Sequence, residues 1–191
     1  MSAPVSSVAE VSDLVRAGRT PEFLFFWGHR PRRDGSVGPS CLSQWWPASF
    51  TVDGLAFATA EHYMMWAKAM LFGDHAIAGK VLTVEHPNAA KTLGRRITGF
   101  DEQTWQEHRF DIVVAGNLAK FGQHPDLGAF LLGTRDRVLV EASPVDRIWG
   151  IGLAADDPAA GDPDRWRGPN LLGFALMRVR ATLRERADLG R

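Results

Sequence analysis

Apolar positions along the chain fall into short runs with two different periods, separated by residues that start and stop regular structure. Phe23-Leu24-Phe25-Phe26-Trp27 is a short, largely aromatic run and predicts a buried strand. Phe50-Thr51-Val52-Asp53-Gly54 followed by Leu55-Ala56-Phe57 predicts two short strands meeting at a turn on Asp53-Gly54. Val138-Leu139-Val140-Glu141 predicts another strand. The helical period appears elsewhere. Thr59 is a suitable N-cap for a helix to about Phe72, with Glu61 in its first turn, where an acid is favoured. Asp74 predicts the cap of a short helix through Val81, and Pro87 the first turn of a helix ending near Arg96. Asp101 opens the longest helix, about 101–121, on which Trp105, His108, Ile112, Ala115 and Ala119 are expected to share the inward face. A short helix follows Pro125, and Leu171 to about Arg186 forms the closing one.

Helices and strands mix without strict alternation, which predicts an α+β fold: a single, mostly helical domain with a few short strands over residues 21–187. Residues 1–20 read as a tail or a short leading helix, with Val8, Val11, Leu14 and Val15 on one weak stripe. Segments 28–41 and 154–169, rich in Gly, Pro and charge, read as loops. At 191 residues the chain is long enough to bury a core without a staple.

Composition narrows the chemistry. Twenty-two basic residues balance twenty-two acidic ones, which argues against a protein that coats nucleic acid by bulk charge. The single cysteine, Cys41, excludes an intramolecular disulfide and any CxxC metal site. No apolar run approaches the roughly 18 residues of a membrane helix, and the N-terminal segment lacks a basic start followed by an apolar stretch. The expectation is a cytoplasmic protein with no membrane partner. Only four of the basic residues are lysines: Lys68, Lys80, Lys91 and Lys120. Dinucleotide-binding, Walker A, HExxH and GxSxG patterns are absent.

Several sites remain for chemistry. Glu61 and Lys68 lie seven residues apart, about 700° of helical rotation, and so share one helix face with Met65 between them. That face offers a carboxylate and an amine for catalysis; equally, Glu61 can stabilise the helix start while Lys68 is solvated. His62 reads as structural or peripheral, since no partner stands at metal-ligand spacing, and no metal or cofactor is expected. Arg95 and Arg96 can hold a phosphate or complement a helix C-terminus. Trp105 and Arg109, at i and i+4, can stack a base and clamp a phosphate, or Trp105 can be core. Asp146 and Trp149 leave a strand together as an acid beside an aromatic, or as a turn with a packed Trp. Asn170 reads as the N-cap of the last helix, beside backbone N–H groups that suit an anion.

The order of these blocks is more specific than any one of them. The series LSQWWPASFTVDGLAFATAEHYMMWAKA, NAAKTLGRRI, Trp105 with Arg109, Lys120-Phe121, the strand-and-loop block ending WGIG at Gly152, and PNLLG resembles the NADAR (YbiA-like) family from about Phe23 to about Leu183. The resemblance implies an N-glycosidase. Some members hydrolyse the N-ribosyl bond of ribosylaminopyrimidine 5′-phosphates early in the riboflavin pathway, and others remove ADP-ribose from guanine in nucleic acid. It further implies a small phosphorylated ribosyl substrate, with Glu61, Lys68 and Asp146 as catalytic residues and Arg95, Arg96, Trp105, Arg109, Trp149 and Asn170 as substrate contacts. A non-catalytic ADP-ribose or nucleotide-binding module is the reading from another class. The chain departs from the usual block LSNFYPSPF, carrying Gln44, Trp45 and Trp46 in Leu42–Phe50, and its arginine-rich segment 28–40 is long. Arg30, Arg32 and Arg33 there offer a local contact for nucleic acid.

N-ribosyl cleavage passes through an oxocarbenium-like state, which needs a nearby anion and a proton for the departing base. Glu61 is expected to move that proton and activate water, with Asp146 holding ribose hydroxyls or stabilising positive charge. Alternatively, the amine of Lys68 attacks C1 of a ring-opened ribosylamine to give a Schiff base.

Overall fold

The computed structural model describes residues 5–189, so the first four positions of the expected leading segment lie outside the described residues. Among those described are seven α-helices and four short strands, in agreement with the α+β expectation. Two compact units emerge: Gln44–Pro125, and the remainder, which runs to Ser43 and resumes at Asp126.

In the second of these, strand β1 (Phe23–Phe26) pairs in parallel with β4 (Val138–Glu141), Phe23 opposite Val138 and Phe26 opposite Glu141. Val138, Leu139 and Val140 are all buried, as expected of a strand covered on both faces. Helix α7 (Leu171–Leu189) packs on β4, and Gly173 allows the contact: a Cβ there would collide with the Leu139 carbonyl oxygen. Helix α6 (Pro125–Gly133) enters β4 through a turn braced by Arg180 of α7. The guanidinium of Arg180, 3% exposed, donates to Thr134 Oγ1 at 2.7 Å and to the Arg137 carbonyl at 2.9 Å. Burial, more than any neighbour, lowers its pKa to about 10. The leading segment forms helix α1 (Val8–Arg16), capped by Ser7 and joined through Arg16 to Asp164 at 2.8 Å.

The unit Gln44–Pro125 holds the hairpin and helices α2 to α5. Strands β2 (Phe50–Val52) and β3 (Leu55–Phe57) are antiparallel, and their turn has positive φ at both Asp53 (49°) and Gly54 (78°). That is the primed two-residue turn the Asp-Gly pair favours. Helix α2 (Ala60–Leu71) starts at Thr59, α3 (His75–Val81) at Asp74, α4 (Pro87–Gly94) with proline in its first turn, and α5 (Glu102–Gln123) at Asp101. Phe50, Phe57, Ala60 and Tyr63 form a buried cluster, with Trp66, Ile112 and Ala119 packed against it.

The inward face of α5 differs from the expected one. Its buried residues are Trp105, Val113, Gly116, Asn117, Lys120 and Phe121, whereas His108 and Ala115 are exposed. A search for apolar residues steps around Asn117 and Lys120, so it rotates the face away from the stripe that is buried.

Candidate active site

Helix α2 carries Glu61 and Lys68, two of the residues that the sequence singled out, and its first turn is tightly fixed. The Thr59 hydroxyl lies 2.8 Å from His62 Nδ1, and His62 Nε2 lies 3.1 Å from the Val84 carbonyl oxygen. A carbonyl only accepts, so the proton sits on Nε2 and Nδ1 takes the Thr59 hydroxyl proton. Burial lowers the His62 pKa, with His86 adding repulsion and the Val84 carbonyl opposing it. His62 is thus a neutral structural brace, buried rather than peripheral.

Glu61 is 3% exposed. Its backbone N–H donates to the Gln44 carbonyl at 3.0 Å, which ties the start of α2 to the segment preceding the hairpin. The Gln44 side chain in turn accepts from Asn117 Nδ2 at 2.7 Å, and that same nitrogen donates to the Val113 carbonyl at 2.9 Å. Asn117 Oδ1 is buried and has no hydrogen-bond partner. One turn further along α5, Lys120 is fully buried, with Nζ 4.8 Å from the Phe121 ring centroid. Gln44, Glu61, Asn117 and Lys120 are therefore polar groups held inside one unit, where each desolvated group needs a partner. Sequence reasoning gave Asn117 and Lys120 no part in the site, although Lys120 lies in a family-like block. The available signal was their place on the 3.6-residue stripe through Trp105 and Val113, together with the scarcity of lysine.

Lys68, two turns beyond Glu61, is half-buried. Its Nζ donates to the Gly94 carbonyl at 3.2 Å and lies 4.2 Å from the Phe100 ring centroid and 5.2 Å from that of Trp105. Gly94 ends α4 and makes this approach possible, because a Cβ there would strike the Met65 sulfur on α2. Carbonyls at a helix C-terminus and aromatic faces both favour a cation. Burial nevertheless dominates and lowers the amine's pKa, while Glu102 pulls in the opposite direction.

Within this unit the structure brings Lys68 to Trp105, which is buried, and places Arg109 one turn after Trp105, partly buried. Arg95 and Arg96 directly follow Gly94 and are exposed. Asp146, Trp149 and Asn170 belong to the other unit. There Asp146 Oδ1 accepts the backbone N–H groups of Ile148 and Trp149, each at 2.8 Å, closing an Asx turn.

Asn170 corrects the N-cap expectation. It adopts φ 53° and is fully buried, and its amide is engaged by β4: Oδ1 accepts from the Glu141 N–H and Nδ2 donates to the Leu139 carbonyl, both at 2.9 Å. A side chain that clasps a strand is not available to the first turn of α7.

Among the described residues no group of three or more His, Cys, Asp or Glu is placed to hold a metal ion, and no helix is long and apolar enough to cross a membrane.

Residues 25–184 match the NADAR domain. An N-glycosidase of Acanthamoeba polyphaga mimivirus is 42% identical over 166 residues, which are 84% of this chain and 96% of the relative. A riboflavin biosynthesis protein of Vibrio vulnificus is 34% identical over 146 residues, 76% of this chain and 36% of the relative. The NMR structure of the Escherichia coli protein YbiA matches with a TM-score of 0.69 at 26% identity, covering 88% of each chain.

Proposed function

Because the chain belongs to the NADAR family, we propose that it is an N-glycosidase, a hydrolase of N-glycosyl bonds. Its substrate in this reading is a phosphorylated ribosylaminopyrimidine, from which it releases ribose 5-phosphate. A relative named for riboflavin biosynthesis supports that substrate, as do Arg95, Arg96 and Arg109 on the unit that carries Glu61. A chain of zero net charge suits a small ligand held by a few placed arginines. Such a substrate, and a chain with one cysteine, suit the cytoplasm.

The observation that carries the reading is the pairing on α2 of a buried carboxylate with a partly desolvated amine beside Trp105. Seven residues of helix separate them by about 10 Å along the axis and leave both side chains on one face. Glu61 delivers a proton to the departing base nitrogen and receives one from the attacking water, so the carboxyl ends the cycle as it began. Trp105, beside Lys68, walls the sugar or base.

The position of Lys68 favours a second route to the same products. The ring-opened ribosylamine presents an imine at C1. The neutral amine of Lys68 adds there, the aminopyrimidine leaves with its bonding electrons and a proton from Glu61, and water then hydrolyses the lysyl imine to free ribose 5-phosphate. The lowered pKa of Lys68 raises the fraction of neutral amine.

A mass-spectrometric product screen with ribosylaminopyrimidine phosphates and with ADP-ribosylated guanine tests the assignment. Ribose 5-phosphate is expected. Release of ADP-ribose would replace the substrate, and binding without product would make the protein a nucleotide-binding module. A folded Glu61→Gln protein is expected to lose turnover, and near-normal turnover would remove Glu61 from the step. Borohydride quenching during single turnover is expected to leave a mass adduct on Lys68 if the imine route operates; an unmodified Lys68 leaves direct hydrolysis.

A further inference from the structure

A cluster that neither route uses lies on the segment holding Glu61. Trp45 directly follows Gln44, whose carbonyl accepts the Glu61 N–H. Of the two adjacent tryptophans, Trp46 is buried, while Trp45 remains partly exposed. The Lys91 Nζ lies 5.9 Å from the Trp45 ring centroid, and the His86 imidazole meets the indole edge-on, with centroids 6.0 Å apart and planes at 86°. Lys91 takes part in no ion pair among the described residues.

The state of the His86 ring follows from its hydrogen bond. His86 caps α4, and its Nδ1 accepts the Asn88 backbone N–H at 3.1 Å. In the neutral ring the proton is therefore on Nε2, leaving an N–H donor on an exposed imidazole. The N-terminus of α4 adds partial positive charge at the same residue. Glu85, next in the chain, is exposed and pairs with neither cation. An ammonium, a ring N–H donor and a positive helix end thus surround a partly exposed indole.

We propose that Trp45, His86 and Lys91 form a subsite for a nucleotide, with its heterocycle against the indole and its phosphate held by the Lys91 ammonium and the His86 Nε2–H. Aromatic stacking is tolerant of the base, and the two donors supply the preference for phosphate. The link from this subsite to the reacting bond rests on the glycosidase reading above; the binding itself does not.

Calorimetric titration of the Glu61→Gln protein, which is expected to lose turnover, tests the subsite with uridine 5′-phosphate and uridine as probes. The phosphate is expected to tighten binding at least about tenfold, the weight of one hydrogen bond to a charged group. Lys91→Ala is expected to abolish that difference while leaving uridine unchanged. Trp45→Leu is expected to weaken both probes alike, with circular dichroism checking that each variant is folded. Equal affinity for the two probes, no binding of either, or a phosphate preference that survives Lys91→Ala would overturn the proposal. Phosphate-selective binding through Lys91 in a protein that cleaves no N-ribosyl bond would leave the subsite standing and remove the glycosidase reading. Unaltered KM and kcat in Lys91→Ala and Trp45→Leu would leave the glycosidase reading standing and overturn the link from the subsite to the reacting bond.

Discussion

Gly116 sits inside the longest helix, where glycine is unfavourable by about 1 kcal/mol relative to alanine. The structure gives a reason for that cost. A Cβ at Gly116 would lie 2.5 Å from Tyr63 Cδ1 and 3.1 Å from Cε1 and Cγ. The Tyr63 ring has little room to move, because Phe57, Trp66 and Phe50 stand 5.1, 6.0 and 6.1 Å from its centroid. Overpacking a walled site costs about 1–3 kcal/mol, and the rigid ring argues for the upper end. Subtracting the propensity gain, Gly116→Ala is expected to lose about 2 kcal/mol. Gly122, on the same helix, has nothing within 4 Å of its would-be Cβ, so Gly122→Ala is expected to gain up to about 1 kcal/mol. The same chemical change should thus have opposite signs six residues apart. In thermal unfolding this is a fall in Tm of about 4–8 °C against a rise of about 2–4 °C, at the sensitivity usual for a protein of this size. Combining Gly116→Ala with Tyr63→Leu should recover part of the loss, since the clashing atoms are gone. If Gly116→Ala proves as stable as Gly122→Ala, the ring is not the constraint and the account of α2 against α5 is wrong.

Three further outcomes follow from the same geometry. Burial holds the Lys68 pKa below its unfolded value of 10.5, so between the two values the unfolded chain binds more protons and stability should rise with pH. Urea unfolding across that alkaline window should show the slope, and Lys68→Met should flatten it; an unchanged slope would refute the desolvation. NMR of reductively methylated protein should find the Lys68 amine titrating below its ordinary value of 10.5, and a value at or above it would mean that the aromatic faces and the Gly94 carbonyl outweigh burial. Asn170→Gly keeps the positive φ but leaves a buried N–H and C=O of β4 without the amide, costing about 2–4 kcal/mol in urea unfolding. Asn170→Ala adds strain at φ 53° and should lose more; equal losses would mean that the backbone conformation relaxes.

Local chemistry was readable in the chain. Thr59, Asp74 and Asp101 cap the helices they were expected to start, and Asp53-Gly54 makes the expected turn. These features depend on atoms a few residues apart. The buried side of α5 was not readable, because Asn117 and Lys120 are inside for reasons supplied by other segments, among them Gln44. The approach of Gly94 to Met65 and the clasp of Asn170 on β4 were hidden for the same reason. Of the candidate site, the placing of Glu61 and Lys68 on one helix was legible. Its surroundings were not, since Phe100 and the Gly94 carbonyl reach Lys68 from beyond its own helix.

The clasp on β4 has a consequence for the behaviour of the molecule among its own copies. In a sheet of two strands, each strand has a side with no neighbouring strand, and such sides invite pairing with another chain. On β4 that side is occupied. The Asn170 amide takes the Leu139 carbonyl and the Glu141 N–H, and the Ile151 N–H takes the Glu141 carbonyl at 3.0 Å. One side chain and one loop residue do the work of a third strand, and they leave these groups closed to intermolecular β-pairing.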